Sequence, residues 1–156
     1  MSESKVQITC QAVSNIIFKK IEGKWKLLLL KRATEQMFGM WCQVAGGIED
    51  GERPEETALR EIQEETELKP DRFYSADICE QFYSPIGPAI QLIPVFVAFI
   101  DDDTQEVVLN HEHSEFQWVD ILEARELVGF PGQRKMLSYV WDEFIEREAP
   151  DCTRIF

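Results

Sequence analysis

Positive charge is scarce in this chain. Sixteen Lys and Arg residues stand against 29 Asp and Glu, leaving a formal net charge of −13. Such a surface repels nucleic-acid phosphates, which argues against nucleic acid as the main partner. It also repels a free anionic small molecule unless cations stand between the two. Cysteine is sparse: Cys10, Cys42, Cys79 and Cys152 lie far apart without a C-x-x-C pair. A zinc site is therefore not expected, and reduced thiols in a cytoplasmic protein are the simpler reading. Long apolar runs are missing too. The stretch IPVFVAFI is far too short to span a bilayer and reads as a buried strand, so no membrane partner is expected. The opening MSESKVQITC has no basic segment followed by an apolar run, and no signal peptide is expected. Repeats, low-complexity tracts and linkers are absent. With 156 residues and a 44% hydrophobic fraction, residues 1–156 read as one domain with a core of its own.

What is present is an alternation of strand and helix signals. VQITCQAVSNIIFKK and WKLLLLKRA read as strands around a turn at Glu22-Gly23-Lys24, and a glycine-bearing loop runs from Ala45 to Arg53. PEETALREIQEET reads as a helix, with Pro54 at its first position and Glu55 and Glu56 at the positive end of its dipole. Ala58, Leu59, Ile62 and Thr66 form its apolar stripe. RFYSADICEQFY and AIQLIPVFVAFID read as strands around SPIGP, and EFQWV as a shorter strand. Asp120 with Glu123 forms a capping box for the helix ILEAREL. A last helix is expected from about Gln133 to Glu148, since Leu137, Val140, Trp141, Phe144 and Ile145 recur on one face. The sum is an α/β fold, a mixed sheet with helices on both faces.

The segment REIQEETEL places Glu61, Glu64 and Glu65 at i, i+3, i+4. At about 100° per residue they share an arc of roughly 100° beside the apolar stripe. Like charges at this spacing cost a helix about 0.2–0.5 kcal/mol per pair, and no lysine lies in the helix to offset them. Spacing alone leaves two readings open: a solvated acidic face, or a site where three carboxylates share a hard divalent cation, Mg²⁺ or Mn²⁺.

The full stretch GGIEDGERPEETALREIQEETEL resembles the Nudix box, the signature of hydrolases that cleave nucleoside diphosphates linked to another group. Gly46, Glu52, Arg60, Glu61, Ile62, Glu64, Glu65 and Leu68 match, eight of nine specified positions. Glu67 departs, standing where the family usually has the glycine that ends the helix. Glutamate there either adopts a positive φ at a cost of about 1 kcal/mol, or lets the helix run on towards Pro70. The resemblance implies a Nudix fold, an α/β/α sandwich. It also implies Glu61, Glu64 and Glu65 as ligands of Mg²⁺ (or Mn²⁺), with Arg60 and Glu52 orienting them and the backbone carbonyl of Ala45 as a further ligand. Divalent ions neutralise a pyrophosphate so that water can attack, and a carboxylate must take the water's proton. Glu61 is one candidate base. Glu112, in LNHEHSEFQWVD, is a candidate base and further ligand, with Glu115 as the alternative.

Arg32, Trp41, Gly46, Gly47, Phe82 and Tyr83 are the residues expected to meet substrate; core or rim packing is the competing fate of the aromatics, Phe38 included. His111 and His113 are read as loop residues or supports, because hard cations rarely need imidazole. Asp101-Asp102-Asp103 reads as a solvated turn. The expected partner is a nucleotide or pterin polyphosphate, with a homodimer left open. FGMWCQVAGGIEDGE looks like dihydroneopterin triphosphate pyrophosphatases that also cleave deoxynucleoside triphosphates, which favours cutting a triphosphate to monophosphate and pyrophosphate. LNHEHSEFQWVDILEAREL is similar to diadenosine tetraphosphate hydrolases, the alternative. A catalytically silent nucleotide sensor is the reading from another class.

Overall fold

The first apolar segment, expected as one strand, is two: β1 (Gln7–Thr9) and β2 (Ala12–Ile21). There follow β3 (Lys24–Arg32), β4 (Trp41–Cys42), β5 (Val44–Gly47), α1 (Pro54–Thr66), β6 (Arg72–Ser84), β7 (Ala89–Ile100), β8 (His113–Val119), α2 (Ile121–Leu127) and α3 (Pro131–Trp141). The computed structural model describes residues 5–156. Both β1 and β2 run parallel to β7, but the register steps from Thr9↔Gln91 to Ser14↔Val95. One extra residue at the break absorbs that step, because a slip of one residue would flip every side chain to the other face.

The eight strands of the described residues form one mixed sheet with the path β1-β7-β2-β3-β4; β5 pairs with β2, β6 with β7 and β8 with β3. Leu27 to Leu30 shows why β3 reads as a continuous apolar run. Leu27 and Leu29 join a core with α2 and α3, while Leu28 and Leu30 join a second core with α1. A strand covered on both faces needs apolar residues at every position. The α/β/α layering expected from the sequence is the observed one.

Several boundaries differ from expectation. Gly46 and Gly47 belong to β5, paired with β2 (Val13↔Gly46, Ala12↔Gly47), so the loop starts after them. β8 begins at His113, two residues earlier than expected. The last helix starts at Pro131 and passes into a wider π-helical turn at Asp142–Glu146, closed by Arg147 N–H donating to Asp142 O at 3.0 Å. The Asp120–Glu123 capping box is present, with bonds of 2.9 and 3.1 Å.

Two features fix the surroundings of α1. The loop 101–112 is tied to its end by Val108 N–H donating to Thr66 O at 2.9 Å, with Val107 and Leu109 packed on the core. Asp101 at the start of that loop holds Arg72 in a two-pronged pair at 2.7 and 2.8 Å, so it is more than a solvated turn. At the far edge of the sheet, residues 154–156 lie along β6: Ile155 N–H donates to Phe73 O at 2.7 Å and Phe73 N–H to Phe156 O at 2.9 Å.

Candidate functional site

Helix α1 carries the acidic cluster, and its packing decides which carboxylates go where. Ala58 and Ile62 are fully buried against the sheet. Because Glu61 and Glu65 flank that stripe, they turn inward as well: Glu61 is 8% exposed and Glu65 only 1%. Glu64 is exposed, so the arc is split between an inner pair and an outer member. Glu56 accepts a hydrogen bond from Arg53 N–H at 2.8 Å and closes the first turn. Glu67 ends the helix in the left-handed region at φ 57°, its N–H donating to Gln63 O. Of the two outcomes open to glutamate at this position, the strained cap is the one adopted.

Arg60 is the hub of the outer part. Its guanidinium donates to Glu52 at 2.7 and 3.0 Å, to Glu61 at 2.8 Å, to Glu64 at 3.2 Å and to Gly47 O at 2.9 Å. Thr57 Oγ1 adds a 2.7 Å bond to Glu52. Hydrogen bonds from Arg60 and Thr57 hold the Glu52 carboxyl down to about 2. Glu52 and Arg60 thus brace the loop against α1. Gly46 lies so close to the helix that a Cβ there would overlap the Glu61 carboxyl group. Its lack of a side chain is what lets β5 and α1 approach.

The inner part has a different electrostatic character. Burial pushes the Glu65 carboxyl up to about 9, and the charges of Glu61 and Glu112 add to the shift; Arg32 and a hydrogen bond from Ala45 N–H oppose it. Burial also raises Glu61, with Glu64 and Glu112 contributing. Glu65 Oε2 has no hydrogen-bond partner among the described residues. His113, 5% exposed, stands beside it with Nδ1 at 4.0 Å. Burial, then the Arg32 charge, lowers the His113 imidazole, so the ring is neutral near pH 7. Cys42 shares this region, its thiol pushed up to about 12 by burial. The strand ends are locked together by Ala33 N–H donating to Glu112 O at 2.8 Å.

The expected residues therefore divide. Glu61, Glu65, Glu112 and Arg32 act electrostatically on one centre, and Ala45 reaches it through its N–H. Glu115 is engaged elsewhere, paired with Lys31 at 2.9 Å. Trp41 packs on the core with α2 and α3, with Lys31 over its ring at 5.8 Å. Phe82 and Tyr83 are 49% and 55% exposed near the tip of the β6–β7 hairpin. Being consecutive on a strand they point to opposite faces, so at most one of them meets a given ligand. His111 is exposed, and Phe38 is 73% exposed on the loop after β3. The buried Glu65–His113 contact and the cluster of Ser14, Gln43 and Glu80 are not legible from spacing. In that cluster Gln43 donates to Ser14 at 2.7 Å and to Glu80 at 3.4 Å, and burial raises the Glu80 carboxyl. The only sequence signal was a polar serine inside an apolar strand.

Among the described residues, no three His, Cys, Asp or Glu side chains converge as a ready-made metal site. Arg60 engages Glu61 and Glu64. The residues still fit a divalent ion. The donors are all oxygen, and one buried carboxylate oxygen is unpartnered. Two further acidic groups repel that carboxylate, a penalty a hard cation removes.

A profile of the NUDIX domain matches residues 10–140. The chain belongs to the Nudix family. Among curated relatives it is 33% identical to an octanoyltransferase of Myxococcus xanthus over 82% of this chain and 36% of that protein, so it spans about a third of that relative. It is 23% identical to the asymmetrical bis(5'-nucleosyl)-tetraphosphatase of Caenorhabditis elegans, over 81% of this chain and 91% of the relative. It is 33% identical to the nucleoside triphosphatase NudI of Escherichia coli, over 67% and 79%. Among solved structures, a C. elegans Ap4A hydrolase binary complex superposes with a TM-score of 0.71 at 21% identity, covering 86% of this chain and 94% of that one. The E. coli dihydroneopterin triphosphate pyrophosphohydrolase gives 0.67 at 19% identity, covering 91% and 99%. Likenesses at that identity speak for the Nudix fold, and no single branch stands out. The preference for the dihydroneopterin triphosphate branch drawn from FGMWCQVAGGIEDGE is therefore not sustained.

Proposed function

We propose that this Nudix protein is a Mg²⁺-dependent hydrolase that cleaves a phosphoric anhydride bond in a dinucleoside polyphosphate. The observation that carries the hydrolase reading is Glu65, a buried carboxylate with a free oxygen on which the charges of Glu61 and Glu112 converge. Glu61, Glu64, Glu65 and Glu112, with the Ala45 carbonyl, would hold the cation. Bound there, the cation supplies neutralisation of the polyphosphate oxygens and polarisation of the attacking water. Arg60 and Glu52 keep Glu61 and the loop in place. Glu112 is the proposed base, taking the proton from water onto its carboxylate; Glu61 is the alternative. Arg32 offers a cation for a phosphate oxygen. Gly46 and Gly47 let the β5 backbone lie close to the site, and either Phe82 or Tyr83 offers a ring to a base.

The dinucleoside reading is supported by likeness in sequence to the asymmetrical bis(5'-nucleosyl)-tetraphosphatase over most of that relative, and in fold to an Ap4A hydrolase. The 33% identity to NudI supports a second reading, a nucleoside triphosphate cut to monophosphate and pyrophosphate. Full retention of Glu52, Arg60, Glu61, Glu64 and Glu65 argues against a silent nucleotide sensor. The test is incubation with diadenosine tetraphosphate, nucleoside triphosphates and dihydroneopterin triphosphate, with Mg²⁺ and then with EDTA. Mg²⁺-dependent cleavage of diadenosine tetraphosphate in preference to the others is expected. Cleavage of triphosphates alone selects the second reading, and nucleotide binding without phosphate release overturns the enzyme. Glu112→Gln should lower turnover roughly 10²–10⁴-fold while Glu115→Gln leaves it near normal.

A further inference from the structure

The pair formed by Glu65 and His113 is unfinished. Both side chains are buried, 2% and 1% exposed, and their nearest polar atoms stand 4.0 Å apart. Glu65 Oε2, His113 Nδ1 and His113 Nε2 all lack hydrogen-bond partners among the described residues. Buried polar atoms in folded proteins are almost always paired, so three orphans, two of them facing each other, call for a reason. Packing does not supply one, since leucine would fill the space without a polar atom.

The surroundings show what the contact is built for. His113 is the first residue of β8, in register with Arg32 on β3, and the residue before it is locked to Ala33. Glu65 sits on the last turn of α1, which the loop 101–112 holds through Thr66. Two rigid elements thus present the atoms to each other across a gap about 1 Å longer than a hydrogen bond. A neutral imidazole has one donor nitrogen and one acceptor. The Ala45 N–H on β5 favours the charged form of the Glu65 carboxyl. A second donor on the other side would fix the plane of the group.

We propose that His113 is a positioning residue for Glu65: its Nδ1–H donates to Oε2 when a divalent cation is bound at that carboxyl group. This rests on the reading of Glu65 as a cation ligand. The imidazole touches neither substrate nor ion; it fixes which way the Glu65 lone pairs point. Partners of this kind typically change metal affinity 10–100-fold when removed.

The experiment compares the wild-type protein with His113→Leu and His113→Asn, all shown to be folded by circular dichroism and urea titration. Mn²⁺ binding is measured by electron paramagnetic resonance, alongside steady-state kinetics. His113→Leu should weaken Mn²⁺ binding by roughly tenfold or more and lower kcat. His113→Asn, whose amide N–H takes the place of Nδ1–H, should restore most of both. Wild-type Mn²⁺ affinity in His113→Leu overturns the proposal, as does a failure of asparagine to recover more than leucine. Should His113→Leu not fold, the wild type alone decides. On Mg²⁺ addition, ¹⁵N spectra of labelled histidine should show the buried ring in its Nδ1–H form with that resonance moved; an unmoved resonance overturns the proposal. A wild-type protein that binds no Mn²⁺ overturns both this proposal and the hydrolase reading, whereas a wild type that binds and turns over beside an unaffected His113→Leu overturns this one alone.

Discussion

Gly46 and Glu61 meet at the tightest approach in the site, where a single methyl group would collide with a carboxyl. The obstructed group is the end of a flexible side chain, so Gly46→Ala should push Glu61 aside rather than unfold the protein. Its unfolding free energy in urea should change by about 1 kcal/mol or less. If Glu61 has the proposed role, turnover should fall roughly 10²-fold, the effect of a displacement of about 1 Å at such a group. Glu65 supplies a second prediction. Its folded carboxyl keeps the proton up to about pH 9, while the unfolded one releases it near 4.5. Between those values the folded state binds more protons, so stability without cation falls as pH rises. Glu61 contributes in the same direction. Urea midpoints in EDTA should therefore decline across this window, and Glu65→Gln should flatten the decline. The glutamate spacing was legible in the sequence because helical periodicity alone puts the residues together. The inward turn of Glu65 onto His113 was not, because it depends on a contact between residues 48 positions apart. Glu112 was preferred to Glu115 on its position in the motif, and the pairing of Glu115 with Lys31 could not be read there because it depends on strand register.

At the scale of elements, α1 stands as read, from Pro54 to Thr66. Its pattern of proline, acidic first turn and apolar stripe is local, and local signals survive into the fold. Its ending was undetermined, since strain at Glu67 had to be weighed against the loop beyond. With φ at 57°, Glu67→Gly should stabilise the protein by about 1 kcal/mol, measured as a shift of the urea midpoint at constant slope. A helix that instead gains length on substitution would show that the cap is not strained. The division of the first strand into β1 and β2 escaped the sequence because it answers to the register of β7. The early start of β8 escaped for a similar reason: His113 pairs with Arg32 across an irregularity after Lys31.

For the molecule as a whole, the net charge of −13 and the buried acidic centre pull in one direction. Divalent cations would relieve both. Mg²⁺ at about 100 times its dissociation constant should add about 2.7 kcal/mol of stability. For a chain of this size that is roughly 5–10 °C in thermal midpoint. Differential scanning fluorimetry checks it, and an equal rise with Na⁺ at matched ionic strength would reduce the effect to screening. The layered α/β architecture was readable because strand and helix periods alternate cleanly. Which nucleotide fits was not, because the rings that could meet it lie on a hairpin tip and a core rim, placed by distant pairing.

The last three residues have a bearing on solubility. By lying along β6 they occupy backbone groups that would otherwise face water as a bare strand edge, and Phe156 shields Phe73 at 5.6 Å between ring centres. Trimming them would leave a sticky seam where one copy could zip onto the next, so clumping on storage would precede any loss of catalysis.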